Sequence, residues 1–193
     1  MSKYFSISCI DYRYDMLISK YLNKIYSDDE FYMTVTAGSA LSLGYEDYCK
    51  KKNNCHCHCT CTTGDPYNSD MYLLKNGIKK NLEIALSLAT IDTVYLMNHQ
   101  DCGAFKAYLS FSNYPVNLGD NNEKEIKINT DMLMYAKKYI QKNFPHITTV
   151  KLGLIDINGS VGELNLCTRN WKIVYIGTGT DTKGLWWGQS VGN

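Results

Sequence analysis

The sequence predicts an α/β fold with a mostly parallel central sheet of four to five strands flanked by helices. Short segments rich in β-branched and aromatic residues alternate along the chain with longer segments in which apolar residues recur every three or four positions. The third of these short segments, residues 93–98 (TVYLMN), is apolar almost throughout, which is typical of a strand covered on both faces of a parallel sheet. Strands that alternate with helices favour parallel pairing of the strands.

The first half of the chain is predicted to alternate between strands and amphipathic helices. Residues 3–9 (KYFSISC) alternate between apolar and polar types and end at Cys9, which predicts a strand that stops there. The elements that follow are a helix over 14–25, a strand over 31–36, a helix that opens at Ala37-Gly38-Ser39, and a long helix over 69–88 with Ser69 as its cap.

The second half continues the alternation and then changes to hairpin signals. After the strand at 93–98, a helix is expected from Gly103 and a longer one over 125–143, closed by Phe144-Pro145. A strand over 149–157 is followed by Asn158-Gly159, a pair typical of hairpin turns, and by a strand over 161–166. Residues 171–176 are again strand-like.

Length and composition predict one domain over residues 1–193. A chain of 193 residues with 45% hydrophobic residues can bury one core and has little material for a second. Two segments depart from the rest of the composition: a Cys-rich insertion at 49–66 and a Trp/Gly-rich C-terminal extension at 168–193.

The charge pattern argues against several classes of partner. Lys and Arg number 20 against 19 Asp and Glu, and the basic residues form no stripe, so nucleic acid is not an expected partner.

The N-terminus lacks the apolar core of a signal peptide and no run is long enough to span a membrane, so we expect a cytoplasmic protein.

The residues that carry chemistry follow the predicted strands. Ligands of an open parallel sheet gather at the carboxyl ends of its strands. Three short segments occupy those positions: CIDYR (9–13) after the first strand, Ala37-Gly38 after the second, and HQDCG (99–103) after the third.

Two of these segments contain metal-ligand types. Cys9, His99 and Cys102 would supply two thiolates and one imidazole, a set that suits zinc and leaves the fourth tetrahedral position for water or substrate. If the chain stays extended after Cys9, Asp11 and Arg13 point to the same side, where Asp11 could bind the metal or accept a hydrogen bond from its water and Arg13 could hold that carboxylate.

The pattern resembles the β-class carbonic anhydrases. Their signatures are C-x-D-x-R after the first strand and H-x-x-C-G after the third, and both stand here as CIDYR and HQDCG. The Ala37-Gly38 pair and the late segment from Asp156 through Gly159 to Leu164 also resemble the family, so that the likeness extends over residues 3–166.

The resemblance implies a function as well as a fold. It implies one zinc ion per subunit on Cys9, His99 and Cys102, with zinc-bound hydroxide that converts CO2 to bicarbonate reversibly. It also implies an Asp11-Arg13 dyad that either frees or closes the fourth position, a substrate site lined by Ala37, Gly38 and Gly103, and a homodimer or higher homo-oligomer.

Three positions depart from the family pattern. Tyr12 stands where the family usually has a small serine, Asn98 where a glycine commonly precedes the histidine, and Ser39 where an asparagine often follows the Ala-Gly pair. None of them removes a ligand, but each bears on substrate access and rate. The same zinc site could therefore act on carbonyl sulfide or carbon disulfide instead of CO2.

The densest group of potential ligands is the run CHCHCTC. On an extended chain Cys55, Cys57, Cys59 and Cys61 share one face, which does not close a tetrahedron around one ion. The run could still hold a second metal, form an ordered loop with thiols or a disulfide, or act as a lid. Asp11-Arg13 has a structural alternative too, as an ordinary ion pair. A non-catalytic protein in which zinc stabilises the fold, with the loop and tail serving assembly or binding, is the alternative from another functional class.

Overall fold

The computed structural model describes residues 3–25, 31–51, 66–109 and 122–175, and within them a six-stranded sheet is flanked by five helices. The strands are β1 (Lys3–Cys9), β2 (Phe31–Thr36), β3 (Ile91–His99), β4 (Thr149–Ile155), β5 (Val161–Asn165) and β6 (Asn170–Tyr175). The helices are α1 (Tyr12–Ile25), α2 (Leu41–Lys51), α3 (Pro66–Leu88), α4 (Gly103–Tyr108) and α5 (Asn122–Asn143).

The sheet is mixed and has the strand order β2-β1-β3-β4-β5-β6. The pairs β1/β2, β1/β3 and β3/β4 are parallel, whereas β4/β5 and β5/β6 are antiparallel. The predicted α/β class with a mostly parallel sheet is therefore confirmed. The sheet has one strand more than the four to five expected, because the start of the predicted C-terminal extension pairs with β5 as β6.

The chain changes direction at β1. Within the sheet, β2 lies on one side of β1, and β3, which follows later in the chain, lies on the other side of β1. The carboxyl ends of β1 and β3 therefore flank the topological switch point, where open α/β sheets bind their ligands. Cys9 ends β1 and His99 ends β3, so both lie at this edge.

The two faces of the sheet bury different sets of side chains. In β3, Val94 and Leu96 join the core that packs beneath α3 and α5, whereas Tyr95 and Met97 join the core beneath α1. This alternation follows the two-residue period of a strand. It explains the uniformly apolar sequence of β3, since both of its faces are covered.

Two helices begin earlier than expected. The chain does not stay extended from Cys9 to Arg13, because α1 begins at Tyr12 and places Arg13 in its first turn. Ser69 is not the cap of α3, which begins at Pro66, a residue type favoured at the first helical position.

Among the described residues, no helix combines the length and the apolar character needed to cross a membrane.

The predicted hairpin after β4 is confirmed. Gly159 adopts a φ of 83° in the turn, and the Asp156 carboxylate accepts hydrogen bonds from the backbone N–H groups of Asn158 and Ser160 at 2.9 and 2.8 Å. The buried Trp171 of β6 donates its indole N–H to Thr130 of α5 at 3.1 Å, which fastens the last strand to the helical layer. The Cys55–Cys61 run and the tail from residue 176 lie outside the described residues.

Helices α2 and α5 approach each other closely at Gly44. A Cβ at this position would lie 2.6 Å from the backbone oxygen of Met132 and 3.2 Å from the Cβ of Tyr135. By contrast, a Cβ at Gly77 on α3 would meet no atom within 4 Å. Gly44 is therefore required by packing, whereas Gly77 is not.

We expect Gly44→Ala to lower the free energy of unfolding by about 2 kcal/mol, because the added methyl group forces α2 away from α5. Gly77→Ala should raise it by up to about 1 kcal/mol, since alanine is the better helix former. Thermal unfolding followed by circular dichroism measures both, and equal melting temperatures for the two variants would contradict the close packing.

Candidate metal centre

Cys9, His99 and Cys102 meet at the carboxyl edge of the sheet. Cys9 is the last residue of β1, His99 is the last residue of β3, and Cys102 immediately precedes α4. One ligand atom from each of the three lies within 4.8 Å of the others, and the two sulfur atoms are 3.9 Å apart. Two thiolates on one tetrahedral zinc ion stand about 3.8 Å apart at ordinary Zn–S distances, so the observed spacing fits such an ion.

The protonation of His99 also fits a metal ligand. Its Nδ1 lies 2.7 Å from the backbone oxygen of Gln100, which can only accept, so Nδ1 carries the proton and Nε2 presents its lone pair. His99 is only 2% exposed, and Nε2 has no hydrogen-bond partner among the described residues. A buried nitrogen with a free lone pair, held in this tautomer by a carbonyl, is the usual arrangement of a metal-binding histidine.

The pKa values of the two thiols are shifted in opposite directions. The pKa of Cys9 lies below its ordinary value, because the Cys102 thiol hydrogen-bonds to it, the His99 side chain lies beside it, and the Gly38 N–H donates to its sulfur at 3.3 Å. The pKa of Cys102 is raised, since its proton is engaged with Cys9 and the side chain is buried. A bound cation would favour the thiolate form of both.

Asp11 and Arg13 form a fork beside the three ligand types. Arg13 donates from Nε to Oδ1 at 3.0 Å and from Nη2 to Oδ2 at 2.7 Å, and these bonds hold the pKa of the Asp11 carboxyl below its usual range. Asp11 also accepts the backbone N–H of Arg13 at 3.1 Å and so caps the N-terminus of α1. Its Oδ2 lies 3.8 Å from His99 Nε2. The two side chains therefore converge through helix capping, not through an extended segment.

The three small residues of the predicted substrate site lie in the turn after β2 and at the first position of α4. Gly38 is buried with a φ of 74°, and a Cβ there would lie 2.9 Å from Leu41 and 3.1 Å from the Cβ of Ala104. Ala37 is half-buried at the end of β2, whereas Gly103 is exposed and has open space where its Cβ would be. The Gly38 turn thus contacts the start of α4, whereas Gly103, next to Cys102 in the chain, is open to solvent.

Several side chains that shape the site were not singled out as site residues from the sequence. Asp101, within HQDCG, accepts from Arg13 and pairs with Lys106. Tyr14 packs its ring 4.6 Å from the imidazole of His99. An acidic residue inside a metal-ligand motif is a signal that sequence alone offers, whereas the contact of Tyr14 requires α1 to lie over β3.

Asn98, one of the three departures noted in the sequence, has a structural role. Its Oδ1 accepts the N–H of Ala40 at 3.2 Å and its Nδ2 donates to Asn129 at 3.1 Å. Both asparagines are fully buried. Asn98 thereby joins β3 to the start of α2 and to α5, directly before His99.

The whole fold is similar to that of β-carbonic anhydrases. The chain superposes on one of the tetrameric β-carbonic anhydrases of the filamentous ascomycete Sordaria macrospora with a TM-score of 0.50 and 15% identity, over 85% of this chain and 81% of that one. A carbonic anhydrase from Glaciozyma antarctica superposes with a TM-score of 0.40 and 14% identity over 83% and 80%.

The sequence comparisons are sparser than the structural ones. An uncharacterized protein of Rickettsia bellii (strain RML369-C) is 23% identical over 158 residues, which are 82% of this chain and 79% of that protein. No family model matches the chain. The superposition on the Sordaria macrospora enzyme shows a similar fold, and at 15% identity the chemistry has to be argued from the residues of the site.

We expect the purified protein to contain bound metal on the three ligand types, and Cys102→Ser to lose it, because the remaining pair cannot hold the ion against chelator. Elemental analysis after dialysis against EDTA gives the number of ions per chain. Cys167→Ser, which changes an exposed cysteine outside this cluster, should retain the wild-type content. A wild-type count near two would point to a second ion on the Cys55–Cys61 run, and a count near zero would contradict the metal centre.

Proposed function

We propose that this protein is a zinc-dependent lyase of the β-carbonic anhydrase type that interconverts CO2 and bicarbonate. The observation that carries the proposal is the convergence of Cys9, His99 and Cys102 beside the Asp11-Arg13 fork at the switch point of the sheet. The similar fold of the Sordaria macrospora enzymes supports it.

The donor set favours zinc over other common cations. Two soft thiolates and one imidazole suit zinc, whereas calcium and magnesium require oxygen ligands. Zinc held there would lower the pKa of a water molecule toward neutrality and so would supply hydroxide able to attack the carbon of CO2. With three ligands from the protein, such an ion would have one position left for water or substrate.

The residues of the chain have separate parts in this chemistry. The Gln100 carbonyl keeps His99 in the tautomer whose Nε2 faces the cluster. The Asp11 carboxylate lies near that nitrogen without belonging to the ligand trio, so it can accept a hydrogen bond from a bound water or hydroxide and orient it. Arg13 holds Asp11 through two atoms and keeps it ionised. The open space at Gly103 leaves room for a small linear substrate.

We expect a stopped-flow assay with a pH indicator to detect CO2 hydration by the zinc-loaded protein. Cys102→Ala should lose both the metal and CO2 hydration. Arg13→Met should keep the metal and lower kcat by roughly 10- to 100-fold, because Asp11 loses its orientation. Cys167→Ser is the matched control and should be fully active.

Two other functions would give different results in the same assays. Hydrolysis of carbonyl sulfide or carbon disulfide by zinc-loaded protein that leaves CO2 unchanged would move the substrate to those molecules, which are also small and linear. One zinc ion per chain without turnover of any of the three between pH 7 and 9 would contradict the enzyme and favour a structural role for the ion.

We further propose that the chain forms a homodimer or a higher homo-oligomer through the side of the sheet that ends in β2. β2 is an edge strand, and exposed apolar side chains lie on β2, after β1 and on the first turns of α1: Ile10, Tyr12, Met16, Met33 and Val35. An edge strand with exposed apolar side chains is prone to pair with another chain. The Sordaria macrospora enzymes, whose fold is similar, are tetrameric.

We expect analytical ultracentrifugation to give a mass of at least twice the 22.0 kDa of one chain. Val35→Lys should shift the distribution toward the monomer, because a charge on the edge strand opposes pairing. Leu73→Lys, on the exposed side of α3, should leave the assembly unchanged. A monomeric wild-type protein would contradict this interface.

A further inference from the structure

Asp101 occupies a strained position between two of the proposed metal ligands. Its φ of 58° lies in the left-handed region, which aspartate and asparagine tolerate better than most other residues. Its backbone N–H donates to Oε1 of Glu125 at 2.6 Å, and Glu125 is buried at the start of α5. The turn that carries His99 and Cys102 is therefore fixed from the helical layer, and it directs the Asp101 carboxylate toward α1.

The Asp101 residue contacts two cations. Its Oδ2 accepts from Nη1 of Arg13 at 2.8 Å, and its backbone oxygen accepts from Nη2 at 3.2 Å. Its Oδ1 pairs with Lys106 of α4. Asp101 is thus anchored on the side away from Arg13 by Lys106, and it presents two acceptors to the guanidinium.

The guanidinium of Arg13 lies between two carboxylates. Its Nε and Nη2 donate hydrogen bonds to the Asp11 carboxylate. Its Nη1 donates to the Asp101 carboxylate, and Nη2 also donates to the Asp101 backbone oxygen. The Arg13 side chain is 38% exposed, and a long side chain loses rotamer freedom when it is held in one orientation. Two acceptors offset that loss better than one, so the orientation of Arg13 toward Asp11 depends on Asp101.

We propose, on the basis of the metal site in the proposed function, that Asp101 is a positioning residue that holds Arg13 so that Asp11 stays beside the metal ligands instead of joining them. Without its carboxylate, Lys106 is left uncompensated near Arg13, and the two cations repel. Arg13 then turns toward solvent and releases Asp11, whose Oδ2 already lies 3.8 Å from His99 Nε2. Asp11 thereby becomes a competitor for the fourth position on the ion.

Azide binding to the Co²⁺-loaded protein tests this role without any CO2 turnover. Visible absorption of the cobalt ion reports its ligands, and azide can occupy only a position that Asp11 leaves open. We expect Asp101→Asn to weaken the apparent affinity for azide by about three- to tenfold, the range expected when a partly exposed ion pair that biases two states is lost. Asp101→Gly, which also tolerates the left-handed backbone and removes both carboxylate contacts, should weaken it further.

A second background separates positioning from simple loss of structure. Asp11→Ser retains an N-cap for α1 but has no carboxylate to reach the ion. In this background Asp101→Asn should leave azide affinity unchanged, whereas a damaged turn would weaken azide binding in both backgrounds. Glu46→Gln is the matched control, since Glu46 is a carboxylate on α2 that pairs with Lys50 and Lys75.

Four outcomes would overturn the inference. Unchanged or tighter azide binding in both Asp101 variants, with normal Co²⁺ content, would remove the positioning role and leave the proposed function intact. If Asp101→Asn weakens azide binding equally with and without the Asp11 carboxylate, Asp101 acts on the fold alone. The same conclusion follows if the variant lowers the melting temperature in parallel with azide affinity and the effect does not depend on Asp11. A wild-type protein that binds no Co²⁺ would overturn the metal site itself, and this result is distinguishable because it precedes any azide titration.

Discussion

The parallel alignment of β1 with β3 is the constraint on which the site depends. The two strands run side by side with Ile7 opposite Leu96, so Cys9 and His99 emerge at the same edge of the sheet. An antiparallel pairing would send the ends of the two strands to opposite edges and would separate the sulfur from the imidazole. Cys102 then needs only the short turn after β3 to join them, and Asn98 fixes the start of that turn to the helical layer.

The charges around the ligand cluster alternate in sign along a line from Asp11 through Arg13 and Asp101 to Lys106. These side chains are partly exposed, so solvent screens their attraction and the pairs contribute little to the stability of the fold. Their effect is on orientation, because each group restricts the rotamers of the next. Such a row can direct one carboxylate at a metal position while the fold itself is stabilised by the apolar cores on both faces of the sheet.

Much of the fold could be predicted from periodicity, and the errors have identifiable causes. β1 and β2 were predicted at their observed bounds, and β3 was predicted three residues too short, since alternating or uniformly apolar segments ended by polar residues are strong strand signals. The start of α1 was misplaced because Asp11 acts as an N-cap, a local hydrogen bond that the apolar pattern does not reveal. β6 was expected as part of an extension, because only pairing with β5 makes it part of the sheet.

The sequence by itself determined which residue types follow which strands, and hence that Cys9, His99 and Cys102 are candidates for one ion. Residue spacing encodes this order because the carboxyl ends of parallel strands share one edge. Only the tertiary structure decided how these groups are held: the free lone pair of His99, the left-handed turn at Asp101 and its hydrogen bond to Glu125. Those contacts join residues that are distant in sequence or depend on backbone angles, and composition and periodicity carry no information about either.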